Sequence, residues 1–153
     1  MGTRHLQTVI DRKGVKRISQ YGQWDGYPSG QGLGILRFLK SADLNKYSEN
    51  VEKINEITEE QIKIVNSNEH WEKQYPYLSR DCGSDIHKLI QEGEVEFVVL
   101  TDYQEAIRWC EGFYEIDLKE MTFTSDYHGV QQTYALTDLP TDEVYLIQMG
   151  DTE

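Results

Sequence analysis

The sequence predicts an α+β fold, an antiparallel sheet of N-terminal and C-terminal hairpins with helices packed between them. Three observations carry that expectation. β-rich runs bounded by turn residues stand towards both ends of the chain, and apolar residues spaced three or four apart fill the middle. Strands and helices also do not alternate in the way a doubly wound sheet requires. The length of 153 residues suits one domain, 1–153, with one hydrophobic core. A hydrophobic share of 38% with 11% aromatics is too rich in core formers for a disordered chain.

The elements follow in order. Arg4 to Ile10 is one strand, Asp11-Arg12-Lys13-Gly14 supplies the turn, and Val15 to Tyr21 returns. From Tyr21 to Gly32, four glycines and Pro28 force repeated turning, which makes this a structured loop. Leu33 to Leu39 places apolar residues around most of a helix, as a central core helix does. Val51, Ile54, Ile57, Gln61 and Val65 then form an amphipathic stripe with acidic residues between them. Thr58-Glu59-Glu60-Gln61 matches a capping box, so one long helix and two short ones fit equally. Ser84 is placed to cap a helix through Ile86, Leu89 and Ile90 that ends at Gly93. Val95 to Leu100 reads as a strand and Tyr103 to Cys110 as a short helix. Phe113 to Leu118 and Met121 to Tyr127 form the second hairpin around Lys119-Glu120, with two more strands at Gln131 to Leu136 and Glu143 to Met149.

Composition narrows the function. Fifteen Lys and Arg against 27 Asp and Glu give a net charge of −12 and a pI near 4.7, a field that repels phosphate backbones and argues against direct nucleic-acid binding. Acidic mimicry of DNA against a basic protein partner stays open. Cys82 and Cys110 form no CxxC pair, which fits a reducing compartment and offers no zinc pattern. The four histidines, His5, His70, His87 and His128, show no metal-binding spacing either, so no metal is expected. No signal-peptide core or membrane-length apolar run is visible, and Leu6 stands where a myristoylation motif needs Ser or Thr. A cytoplasmic setting is the expectation.

The glycine loop is where chemistry is expected. Gln23, Trp24, Asp25, Tyr27, Ser29 and Gln31 crowd hydrogen-bonding and stacking groups onto a backbone whose amides lead into the helix at Leu33, as a site for a small planar or polar ligand does. It is neither a P-loop nor a dinucleotide fingerprint. Thr3, Arg4 and His5 at the front of the first strand join this site if the hairpin brings them beside the loop. Arg80 and Asp81 are a further pair placed to reach it. The corresponding structural readings are a loop folded on its own aromatics, an ordinary strand end and a surface ion pair. Asp25 is a candidate general base if burial raises its pKa.

The opening Met1-Gly-Thr-Arg-His-Leu6 and the run Tyr21-Gly-Gln-Trp-Asp-Gly-Tyr-Pro-Ser-Gly-Gln-Gly32 resemble an uncharacterised family of tailed phages, prophages and bacteria. Leu78-Ser-Arg-Asp81, Trp109-Cys110 and Tyr114-Glu-Ile-Asp-Leu118 follow the same likeness, which thus spans most of the chain. The resemblance implies a phage or bacterial cytoplasm and brings no catalytic residues or cofactor. Small phage proteins often act against host defence, so the leading expectation is a counter-defence protein that sequesters a nucleotide-derived signalling molecule, with a homo-oligomer of shared pockets as the expected assembly. The opening hairpin and glycine loop also resemble the amidohydrolases that use an N-terminal nucleophile in a layered αββα fold. Gly2 departs from that pattern, because it has no nucleophilic side chain and would follow Met1 removal. The third expectation is an acidic inhibitor that binds a host defence protein, either by mimicry or through the helix face from Glu49 to Lys63.

Overall fold

The turn of the first hairpin is built by Asp11. Its carboxylate accepts hydrogen bonds from the amides of Lys13 (2.8 Å) and Val15 (2.9 Å), and from Arg17 Nε (2.9 Å). Burial works against this charge, but the two amides and the guanidinium outweigh it and hold the acid below the ordinary carboxylate range. On either side of the turn run β1 (His5–Ile10) and β2 (Lys16–Gly22), antiparallel with His5 opposite Gly22. The computed structural model describes residues 2–151 and is α+β, as the sequence predicts.

The second hairpin supplies β5 (Gly112–Asp117) and β6 (Thr122–Tyr127), extended by β7 (Val130–Ala135). Alternate burial along β5, with Gly112, Tyr114 and Ile116 inward, is the period-two pattern read from the sequence. The hairpins join into one five-stranded sheet of order β2-β1-β5-β6-β7. The junction corrects the expectation of a wholly antiparallel sheet: β1 and β5 are parallel, His5 beside Gly112 and Ile10 beside Asp117. Parallel neighbours need a long crossover, and everything from β2 to Cys110 supplies it.

That crossover holds α1 (Leu33–Ser41), α2 (Leu44–Val51), a two-residue strand β3 (Asn55–Glu56) and α3 (Glu59–Asn66). It continues through α4 (Trp71–Gln74), α5 (Ile86–Gln91), β4 (Phe97–Val98) and α6 (Tyr103–Ala106). The amphipathic stretch is not one long helix: α2 ends at Val51, Ile54 and Ile57 flank β3, and α3 starts at the Thr58–Gln61 capping box. Ser84 is not a side-chain cap, because a 3-10 turn over Gly83–Asp85 leads into α5. Val95 to Leu100 pairs only through Phe97 and Val98, alongside Asn55 and Glu56. The last predicted strand is instead α7 (Asp142–Gln148). Thr141 caps it by accepting from the Val144 amide (3.2 Å), and two acids occupy its first turn.

One sheet face carries the main core. Val9, Ile18, Tyr114, Ile116 and Phe123 meet Leu33, Ile35, Leu36, Val51, Ile86, Ile90 and Tyr145 from the helices. On the other face, Leu6 packs with Ala106 and Cys110, while Tyr21 and Phe113 lie against them. The rest of that face is an open trough of about 450 Å³ that includes Thr8, Lys16, Tyr103, Glu115, Thr124 and Asp126. Among the described residues the only other sheet is the two-stranded β3–β4 pair, so the αββα layering is not formed. Among the same residues, no helix is long and apolar enough to cross a membrane.

Candidate functional site

The glycine loop lies across the ends of β1 and β5, and close approach explains its composition. A side chain on Gly22 would fall on the His5 ring, and one on Gly32 would fall on the Tyr145 hydroxyl. Between them, Gly26 donates its amide to Thr3 O (2.9 Å) and accepts from the Tyr114 hydroxyl (2.5 Å). The loop then closes through a π-helical turn over Pro28–Gly32 that runs into α1.

The structure brings the expected site residues together, but most of their polar groups engage one another. Asp25 adopts a left-handed backbone (φ 55°), accepts the Gln31 amide on its carbonyl (2.8 Å) and accepts the Tyr27 hydroxyl on its carboxylate (3.0 Å). Gln31 donates to Trp24 O (3.1 Å) and accepts the Ser84 amide (2.7 Å). Ser29 donates its amide to Asp151 (2.8 Å). Arg80 and Asp81 do reach the loop: Arg80 O accepts the Gln23 amide (3.0 Å), and Asp81 accepts the Trp24 indole N–H (2.6 Å). Thr3 is tied in through its carbonyl.

His5 is sealed beneath this loop. It has no exposed surface, and neither ring nitrogen has a hydrogen-bond partner among the described residues. Burial pushes its pKa down to about 4, with the Asp25 charge pulling the other way, so the ring is neutral near pH 7. It stacks edge-on to Tyr114, with ring centres 6.3 Å apart.

Arg4 and Arg80 behave differently. Neither guanidinium has a carboxylate within 4 Å among the described residues, whereas Arg12, Arg17 and Arg37 are paired. Arg4 follows the β1 alternation onto the face of Leu6 and Tyr21, and its carbonyl accepts the amides of Glu111 and Gly112. Burial holds the Tyr21 hydroxyl above the ordinary tyrosine range, and the charges of both Arg4 and Arg80 act against it. That hydroxyl donates to Gln23 Oε1 (2.6 Å). Beside it, Tyr21, Arg80, Tyr77, Leu78, Val98 and Val99 help to line a hollow of about 200 Å³. Trp24 has 46% of its surface exposed, and its indole is held by Asp81, the residue after Arg80.

Tyr21 is the site residue that the sequence reading left out. Its signal was period-two alternation, which places it on the face of Arg4 and opposite Leu6. Burial lifts the thiols of Cys82 and Cys110 to about 12 and about 11, which keeps both protonated and poorly nucleophilic. Among the described residues no His, Cys, Asp and Glu group is arranged to hold a metal ion. No family model, curated protein or solved structure matches the chain.

Proposed function

We propose that the protein binds and sequesters a small anionic, nucleotide-derived molecule at the patch of Arg4, Tyr21, Gln23, Trp24 and Arg80. One observation carries this reading: in a chain of net charge −12, two guanidiniums without carboxylate partners among the described residues both bear on the charge of the Tyr21 hydroxyl, and an exposed indole is anchored by Asp81, the residue after Arg80. A guanidinium fork matches a phosphate, and an indole face stacks on a base. Because Asp81 already holds Trp24, stacking costs little further ordering. The setting we propose, phage counter-defence in a bacterial cytoplasm, is supported by the resemblance of the Met1–Leu6 and Tyr21–Gly32 motifs.

Calorimetry against cyclic nucleotides and ADP-ribose derivatives tests this, with chromatography of each mixture. We expect saturable binding with the ligand recovered intact, weakened at least ~10-fold by Arg80→Gln or Arg4→Gln. Absence of binding across the panel, or equal binding by both variants, overturns the proposal. Conversion to a new mass makes the protein the hydrolase instead.

A second reading, an acidic inhibitor of a host protein, is supported by α3. Ile62 and Ile64 are exposed there next to Glu59 and Glu60, and Val65 is its only buried residue. Enrichment of a basic host protein that Ile64→Lys abolishes would favour this reading over the first.

A further inference from the structure

The two edges of the sheet differ. At β2, Thr101 donates its amide to Ser19 O (2.8 Å) and accepts the Ser19 hydroxyl (2.7 Å), so the chain itself covers part of that edge, which also carries Lys16 and Arg17. At β7 nothing comparable occurs among the described residues. Leu136 donates its amide back to Met121 O, which puts the even-numbered backbone groups of β7 toward β6. Gln131 and Thr133 therefore point their N–H and C=O groups outward, and no backbone or side-chain partner takes them among the described residues.

β7 also lacks the usual protection of an open edge, since it has no Lys, no Pro and no shift in its register with β6. No Asp, Glu, Lys or Arg stands between Asp126 and Asp138, although charged residues make up 27% of the sequence. Two molecules that each carry −12 repel one another except where such a charge-free seam lets them meet.

Beside β7, the neighbouring helix α7 carries an exposed apolar flank edged by Glu143, one turn before Ile147. In α7, Asp142 pairs with Arg37 and Lys40 and so marks the flank facing α1, while Gln148 accepts the Tyr134 hydroxyl of β7 (2.7 Å). With ~100° between successive helical residues, Val144 and Ile147 fall on the flank away from α1. Both are exposed, at 41% and 58%.

We infer that β7 is the interface for a second copy of this chain, which pairs antiparallel about a two-fold axis at Gln132 and makes one continuous sheet. Gln131 of each copy exchanges both backbone hydrogen bonds with Thr133 of the other copy, and the Val144 and Ile147 flanks of the two α7 helices meet beneath the new seam. This stands apart from the ligand reading, because β7 and the Arg4–Arg80 patch lie toward opposite edges of the sheet.

Sedimentation equilibrium of the full chain over a micromolar concentration series tests the inference, with Thr133→Pro and Ile147→Glu beside the wild type. Thr133→Pro removes an outward amide and spares the bonds to β6, while Ile147→Glu charges a solvent-exposed flank without touching the core. We expect a dimer that is weakened ~10-fold or more by Ile147→Glu, and by Thr133→Pro wherever circular dichroism is unchanged. A monomer at every concentration, or a dimer that Ile147→Glu leaves intact, overturns it.

Discussion

His5 and His87 are both shut away from water, but among the described residues only His87 has hydrogen-bond partners. Gln7 Nε2 donates to Gly83 O (2.7 Å), which leaves Gln7 Oε1 to accept His87 Nε2–H (2.8 Å). His87 Nδ1 then accepts the Tyr47 hydroxyl (2.9 Å). His87→Leu orphans two buried groups and should cost about 3 kcal/mol, whereas His5→Leu, which removes an already orphaned ring, should stay within about 1 kcal/mol of wild type. Urea unfolding at pH 7.5 separates the two. Burial sets both pKa values low, about 4 for His5 and about 3 for His87, against 6.5 for the free side chain. Between these values the unfolded chain binds more protons, so stability is complete above pH 6.5 and falls as the pH drops. From pH 7.5 to pH 5 each histidine should remove roughly 2 kcal/mol, and His5→Leu should halve that combined loss. The sequence reading placed His5 at the ligand site, and nothing local to residue 5 shows that it is sealed, because Gly22 and Tyr114 close over it from other strands.

Helix caps explain where element assignment succeeds and where it fails. Thr141→Ala should lower stability by about 1 kcal/mol, because Thr141 accepts the Val144 amide. Ser84→Ala should cost no cap, since what holds that turn is the Ser84 amide bonded to Gln31. Thermal unfolding of the two variants checks the contrast. Both hairpins were legible because alternation and turn residues agree, and the break at Thr58 because a complete capping box lies there. Glu143 to Met149 was not, since a short apolar run fits strand and helix alike. The cue that decides it was local all the same, a Thr followed by two acids. Of the candidate site, the meeting of Arg80 and Asp81 with the glycine loop was readable, but that Arg4 and Arg80 lack carboxylate partners among the described residues is a tertiary fact.

On the scale of the whole molecule, the patch and the charge-free seam lie toward opposite edges of one sheet. A dimer joined at β7 carries its two patches toward its far ends, so the pockets are not shared. Titration should then give one ligand per chain with a Hill coefficient of about 1. The parallel pairing of β1 with β5 sets a further condition, one of timing. The two parallel strands lie on either side of the long crossover, so β1 meets β5 only once Asp117 has left the ribosome. Until then the nascent hairpin keeps the β1 edge bare, the kind of surface that chaperones hold during synthesis.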